Sequence, residues 1–174
     1  MVHATGLMLD GVLLTSLPFL AGVVCNLAGG ILGDRLTQRI GTRTALRLIP
    51  SVCLAGTALV LTAMALSHSR LAIVLLSSAG FGMMDLMLPS AWAMCVSIGG
   101  RFSGTATGVM NTAGQAGGFL GTVFFGYVVQ ASGSYNLPVC FIAAMVLISA
   151  LLFARVDCTQ RLDAEVCEPT AQPA

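Results

Sequence analysis

The chain has 174 residues, of which 56% are apolar and only 9% charged, with a formal net charge of +1 at pH 7. A soluble domain carries roughly 25% charged residues, so this composition excludes an ordinary water-soluble fold, and the near-neutral balance excludes the basic surface that a nucleic-acid partner needs. All 8 basic residues are Arg, scattered singly between or beside long apolar blocks for which lipid is the natural solvent.

A helix needs about 20 mainly apolar residues to cross the hydrocarbon of a bilayer. Five windows meet that length: 11–32, 45–66, 71–98, 104–129 and 137–154. The expected architecture is an all-α, polytopic membrane helix bundle over 1–154 with about five transmembrane helices, followed by a polar tail over 155–174. That tail has too little apolar surface to fold alone and is expected to be disordered. No Lys or Arg precedes the first apolar stretch, so no signal peptide is expected.

In the first window Asn26 shares a helix face with Gly22, Gly29 and Gly33, a pattern suited to close helix packing. The separator 33–44 holds Asp34, Arg35, Arg39 and Arg43 and reads as a loop. Alternating the spans puts Arg35, Arg39, Arg43, Arg47, Arg101, Arg155 and Arg161 on one side and Arg70 on the other. By the positive-inside rule the Arg-rich side is cytoplasmic, with the C-terminus inside and the N-terminus outside. With five spans, an outside start is expected of a chain that begins between helices, as the C-terminal part of a longer protein.

Asp85, in the third window, is the only acidic residue deep in any span. An ionisable group there costs at least a few kcal/mol unless it faces protein or water. Asp85, Pro89 and Trp92 follow i, i+4, i+7 and share a face. They either line a cavity or tie this helix to a neighbour. In the fourth window Gly104, Gly108, Asn111, Gln115 and Gly118 form a second stripe, whose two amides both donate and accept hydrogen bonds. These amides suit an oxygen-rich solute or an interhelical bond equally well. Glycines four apart (Gly104 and Gly108, Gly114 and Gly118, Gly117 and Gly121) predict close backbone approach.

Cys25, Cys53, Cys95, Cys140, Cys158 and Cys167 include no CxxC pair and no His at ligand spacing, so no metal, cofactor or structural disulfide is expected. HExxH, GxSxG and paired intramembrane acids are lacking as well, and the chain is not read as an enzyme.

The segment 29–43 (GGILGDRLTQRIGTR) carries the sharpest pattern: glycines end one helix, Asp34 caps or pairs at the junction, and arginines hold the loop at the membrane surface. It resembles the cytoplasmic loop signature of the major facilitator superfamily, with Gly30, Asp34, Arg35, Gly41 and Arg43 in the pattern. The stretches 89–100 (PSAWAMCVSIGG) and 103–118 (SGTATGVMNTAGQAGG) resemble helices ten and eleven of its anion:cation symporter family, and 17–24 (LPFLAGVV) resembles helix eight. One departure is Ser97, where many members carry an acidic residue.

The resemblance implies helices eight to twelve of a twelve-helix secondary transporter in the plasma (inner) membrane, moving a small organic anion, a sugar acid, together with protons. It implies substrate contacts at Trp92 and Asn111, with Ser90 and Gln115 beside them; Asp85 joins that set on physical grounds. Gly30, Asp34, Arg35, Gly41 and Arg43 would form a gating loop. The partners implied are the organic anion, membrane lipid and the missing N-terminal half, which would supply the proton-coupling acids and an anion-binding Arg. The alternative is a non-transporting five-helix remnant with a structural or regulatory role.

Overall fold

The computed structural model describes residues 2–156, with side-chain surroundings from residue 16 onward. The expected tail, with Arg161, Cys158 and Cys167, lies outside the described residues from 157 on. The helices are α1 (Val2–Ile40), α2 (Thr42–Leu66), α3 (Arg70–Gly99), α4 (Ser103–Ser132) and α5 (Asn136–Arg155), with a single 3-10 turn, Gly100–Phe102, between α3 and α4. No strand occurs among the described residues. The expected all-α bundle of membrane-spanning length is therefore what forms.

Contacts between helices show that their directions alternate. Along α1 and α3 the pairs Cys25 with Gly82, Gly29 with Leu86 and Gly33 with Ser90 advance together, so these two helices run parallel. Beside them α2 runs the other way, meeting α3 through Gly56 against Met83 and Gly80 against Val60. Leu46 of α2 and Met94 of α3 form a cluster against which Phe153 and Val156, at the end of α5, also pack. Arg35, Arg39, Arg43, Arg47, Arg101 and Arg155 thereby gather at one end of the bundle, and Arg70 stands at the other.

The separator expected over 33–44 is a turn of one residue. Helix α1 continues to Ile40 and α2 begins at Thr42, so Gly30, Asp34 and Arg35 lie inside α1, Arg43 lies in the first turn of α2, and only Gly41 is outside a helix. Asp34 neither caps α2, whose N-cap is Gly41 with no side-chain bond, nor forms an ion pair among the described residues. The reason is local: Gly29, Gly30 and Gly33 tolerate helix geometry at modest cost, and nothing before Gly41 leaves it. Gly41 turns the chain with φ 84° and ψ 151°, a region open essentially to glycine alone.

Helix α2 is the most enclosed element. Its Ala45, Leu46, Ile49, Cys53, Leu54 and Ala58 supply most of the buried hydrophobic residues. They recur at helical spacing and face α1, α3 and α5. By contrast α4 has no buried residue at all.

The glycine spacings on α4 do not bring helices together. A methyl group added at Gly104, Gly108, Gly114, Gly117, Gly118 or Gly121 would meet no atom within 4 Å. Gly114, Gly117 and Gly121 instead line an apolar crevice of about 650 Å³ between α4, α3 and α5. Its width is kept by larger side chains such as Phe124 and Phe141, whose ring centroids are 4.6 Å apart. Small residues permit close approach in lipid but do not enforce it, because apolar tails solvate the helices as well as neighbouring side chains do.

Close approach occurs on α1. At Gly29 an added methyl would collide with the Leu86 backbone, and at Gly22 with the Asp85 carboxylate and the Phe81 ring. Gly29→Leu should therefore lower the stability of the detergent-solubilised protein by about 1–3 kcal/mol, the usual range for overpacking. Gly117→Leu should change it by less than about 0.5 kcal/mol. Equal losses for the two variants in reversible unfolding would show that the α1–α3 seam has no special role.

Candidate functional site

The seam between α1 and α3 organises the middle of the bundle, and its cause is a proline. Pro89 has no N–H to give to the carbonyl one turn earlier, which belongs to Asp85. In hydrocarbon an unsatisfied carbonyl is costly and must find a partner from another helix. Asn26 of α1 supplies it, its Nδ2 donating to the Asp85 carbonyl oxygen at 3.4 Å. Gly22 and Gly29, both buried, let α1 come near enough for that bond. The packing role expected for Asn26 and its glycines is met, with Phe19 set edge-on against Phe81 at 5.5 Å beside them.

The Asp85 side chain is half-buried. Its carboxylate lies over Gly22 and forms no ion pair among the described residues. Asp85 also lines an open cavity of about 420 Å³ between α2, α3 and α5, whose other polar members include Thr57 and Ser77. Those hydroxyls donate within their own helices, Thr57 to the Cys53 carbonyl and Ser77 to the Val74 carbonyl, each at 2.9 Å. What they present to the cavity is acceptor capacity, against walls that include Phe81, Met84 and Ile142.

Ser90 is 2% exposed, and its hydroxyl has no hydrogen-bond partner. It lines a small cleft of about 120 Å³ between α1 and α3 together with Gly30, Gly33, Asp34 and Thr37. Two members of the loop signature, Gly30 and Asp34, thus meet one of the expected substrate contacts. Trp92, 38% exposed, and Asn111 and Gln115, both exposed, face outward from α3 and α4. The expected substrate residues do not converge: Asp85 serves the cavity, Ser90 the cleft, and the other three an open surface.

Sequence reading overlooked Thr57, Ser77 and Thr37. A lone hydroxyl in an apolar span satisfies its own helix backbone, so neither composition nor spacing marks it. Cys25, Cys53, Cys95 and Cys140 are free thiols, and the Cys95 and Met110 sulfurs meet at 3.1 Å across the α3–α4 hairpin.

The account of the seam is open to a double-mutant cycle in reversible detergent unfolding. Asn26→Ala should cost about 1 kcal/mol, the scale of interhelical side-chain bonds in membranes. With Pro89→Ala already present the residue at 89 donates to the Asp85 carbonyl, and the same change should cost almost nothing. Strict additivity of the two substitutions would exclude the proposed compensation.

No protein-family model matches the chain, and no solved structure matches it. Two curated proteins do. The chain is 36% identical over 140 residues to the "Probable sulfoacetate transporter SauU" of Cupriavidus necator, a match covering 80% of this chain and 33% of that protein. It is 28% identical over 158 residues to the "Probable galactarate/D-glucarate transporter GudP" of Bacillus subtilis, covering 88% of this chain and 34% of that protein. The chain therefore spans about a third of the length of the curated relatives it matches. Both relatives are named as transporters of organic anions, and the resemblance to anion transporters is thereby shown.

Proposed function

We propose that this bundle is the C-terminal transmembrane part of a secondary active transporter of the major facilitator type, moving a small organic anion, a sugar acid, in company with protons. The observation that carries the proposal is the outer stripe of α4. Asn111 and Gln115 stand exposed there among Gly104, Gly108 and Gly118, with open space at each glycine. Side-chain amides are costly against lipid tails, so such a face belongs against protein or a water-filled path. Relatives about two and a half times as long have room for the helices that would close that path.

The chemistry of the stripe fits the solute. An amide donates its N–H to a carboxylate or sulfonate and accepts from a hydroxyl, and a sugar acid presents both kinds of group. Solutes in such transporters sit near the bilayer midplane between repeated halves that rock against one another. In this arrangement α3 and α4 present Trp92, Asn111 and Gln115 to the path, Ser90 and Asp85 lie behind them, and the other half contributes the remaining contacts. Gly41 is the hinge of the loop signature, with Gly30, Asp34, Arg35 and Arg43 on its flanks. The Arg-rich end faces the cytoplasm of an inner membrane by the positive-inside rule, with the C-terminus on that side.

The test is uptake by a chimera in which the upstream part of the Cupriavidus necator relative is joined to this chain. Labelled glucarate or sulfoacetate should accumulate and be lost on adding a protonophore. Asn111→Ala and Asp85→Asn should each lower initial uptake by about tenfold, the effect of one buried polar contact. Accumulation by this chain alone would refute the reading. A well-folded chimera that moves neither anion would favour a non-transporting structural role.

A further inference from the structure

We propose that a cleft at the Arg-rich end, lined by Arg43, Thr44, Arg47 and Ser51 of α2 and by Ala154 of α5, holds the phosphate of an anionic membrane lipid. The cleft has a volume of about 350 Å³, and its α2 residues at 43, 47 and 51 are spaced i, i+4, i+8 along one helix face. Two guanidinium groups on one face match a phosphate group by shape as well as charge, since the planar fork donates to two oxygens at once.

Two further features point to a ligand. The Ser51 hydroxyl oxygen is fully enclosed and has no hydrogen-bond partner. An enclosed hydroxyl is satisfied in the great majority of proteins, and a phosphate oxygen in the cleft would satisfy this one. Arg47 donates from Nε to the Val156 carbonyl, which ties its guanidinium across the junction of α2 and α5. A side chain already held in place loses less freedom when an anion arrives.

What selects a lipid over free phosphate is the surface around and below the cleft. Leu48 lines it and is 46% exposed, and one helical turn deeper Val52 is 61% exposed on α2 and Leu151 is 64% exposed on α5. A polar headgroup site at the bundle end thus continues into an apolar tract along the helices, the arrangement that an amphiphile with acyl chains fills. Basic pockets between transmembrane helices at the charged end are where anionic headgroups bind.

Native mass spectrometry of the full chain, released from detergent micelles and titrated with lipid, tests the proposal. Phosphatidylglycerol should bind at least about tenfold more tightly than phosphatidylcholine, as two arginines at a charged interface predict. The double variant Arg43→Gln/Arg47→Gln should lose that preference, Ser51→Ala should weaken phosphatidylglycerol binding several-fold, and Arg70→Gln, at the opposite end, should leave it unchanged. Should the double variant fail to fold, Arg43→Gln alone, at an exposed position, carries the same test. Preference for phosphatidylglycerol surviving in the arginine variants overturns the site. Displacement of the lipid by inorganic phosphate at equal concentration overturns the lipid assignment in favour of a soluble oxyanion.

Discussion

A missing N–H in the middle of a membrane helix sets the geometry of this bundle. Pro89 leaves the Asp85 carbonyl without its own helix's donor, and Asn26 reaches across from α1 to take that place. The bond holds only if the two helices almost touch, which Gly22 and Gly29 allow where any side chain would collide with α3. From that seam the rest follows: α1 and α3 run parallel, and α2, which links them in the chain, returns antiparallel beside them. The most enclosed helix, α2, packs through its apolar stripe against α1, α3 and α5.

The same physics explains why α4 stands apart. Association of helices in lipid has no hydrophobic drive, so a pair comes together only through specific bonds or shape. Helix α1 has both at α3. Helix α4 has the small residues but meets α3 through soft contacts such as the Cys95 and Met110 sulfurs, and the aromatic pair Phe124 and Phe141 sits beside the crevice that separates it from α5. Its amides remain exposed, and this unspent hydrogen-bonding capacity is the physical basis of the transport proposal.

At the other extreme of order is the turn between α1 and α2. A single residue with a backbone conformation reserved for glycine reverses the chain, which brings arginines before and after it to the same end of the bundle. The signature residues are thereby helical, and their contribution is made from helix surfaces: Gly30 and Asp34 on the cleft with Ser90, Arg43 on the cleft with Arg47 and Ser51.

The number of long helices among the described residues and the end of the bundle at which each described arginine lies were determined by the sequence alone, because span length and the cost of burying a charge in hydrocarbon depend on local composition. The packing role of Asn26 was also expected from the glycines on its face, although the same pattern on α4 brings no helix close to its glycines. Only the tertiary structure decided which glycines are in contact, that the segment after Gly33 stays helical up to Gly41, and that the polar residues at 85, 90, 92, 111 and 115 divide among a cavity, a cleft and an open face. Those outcomes depend on which helix lies opposite and at what depth, and helical spacing within one segment is the same whether its stripe meets a carbonyl, a cavity or nothing.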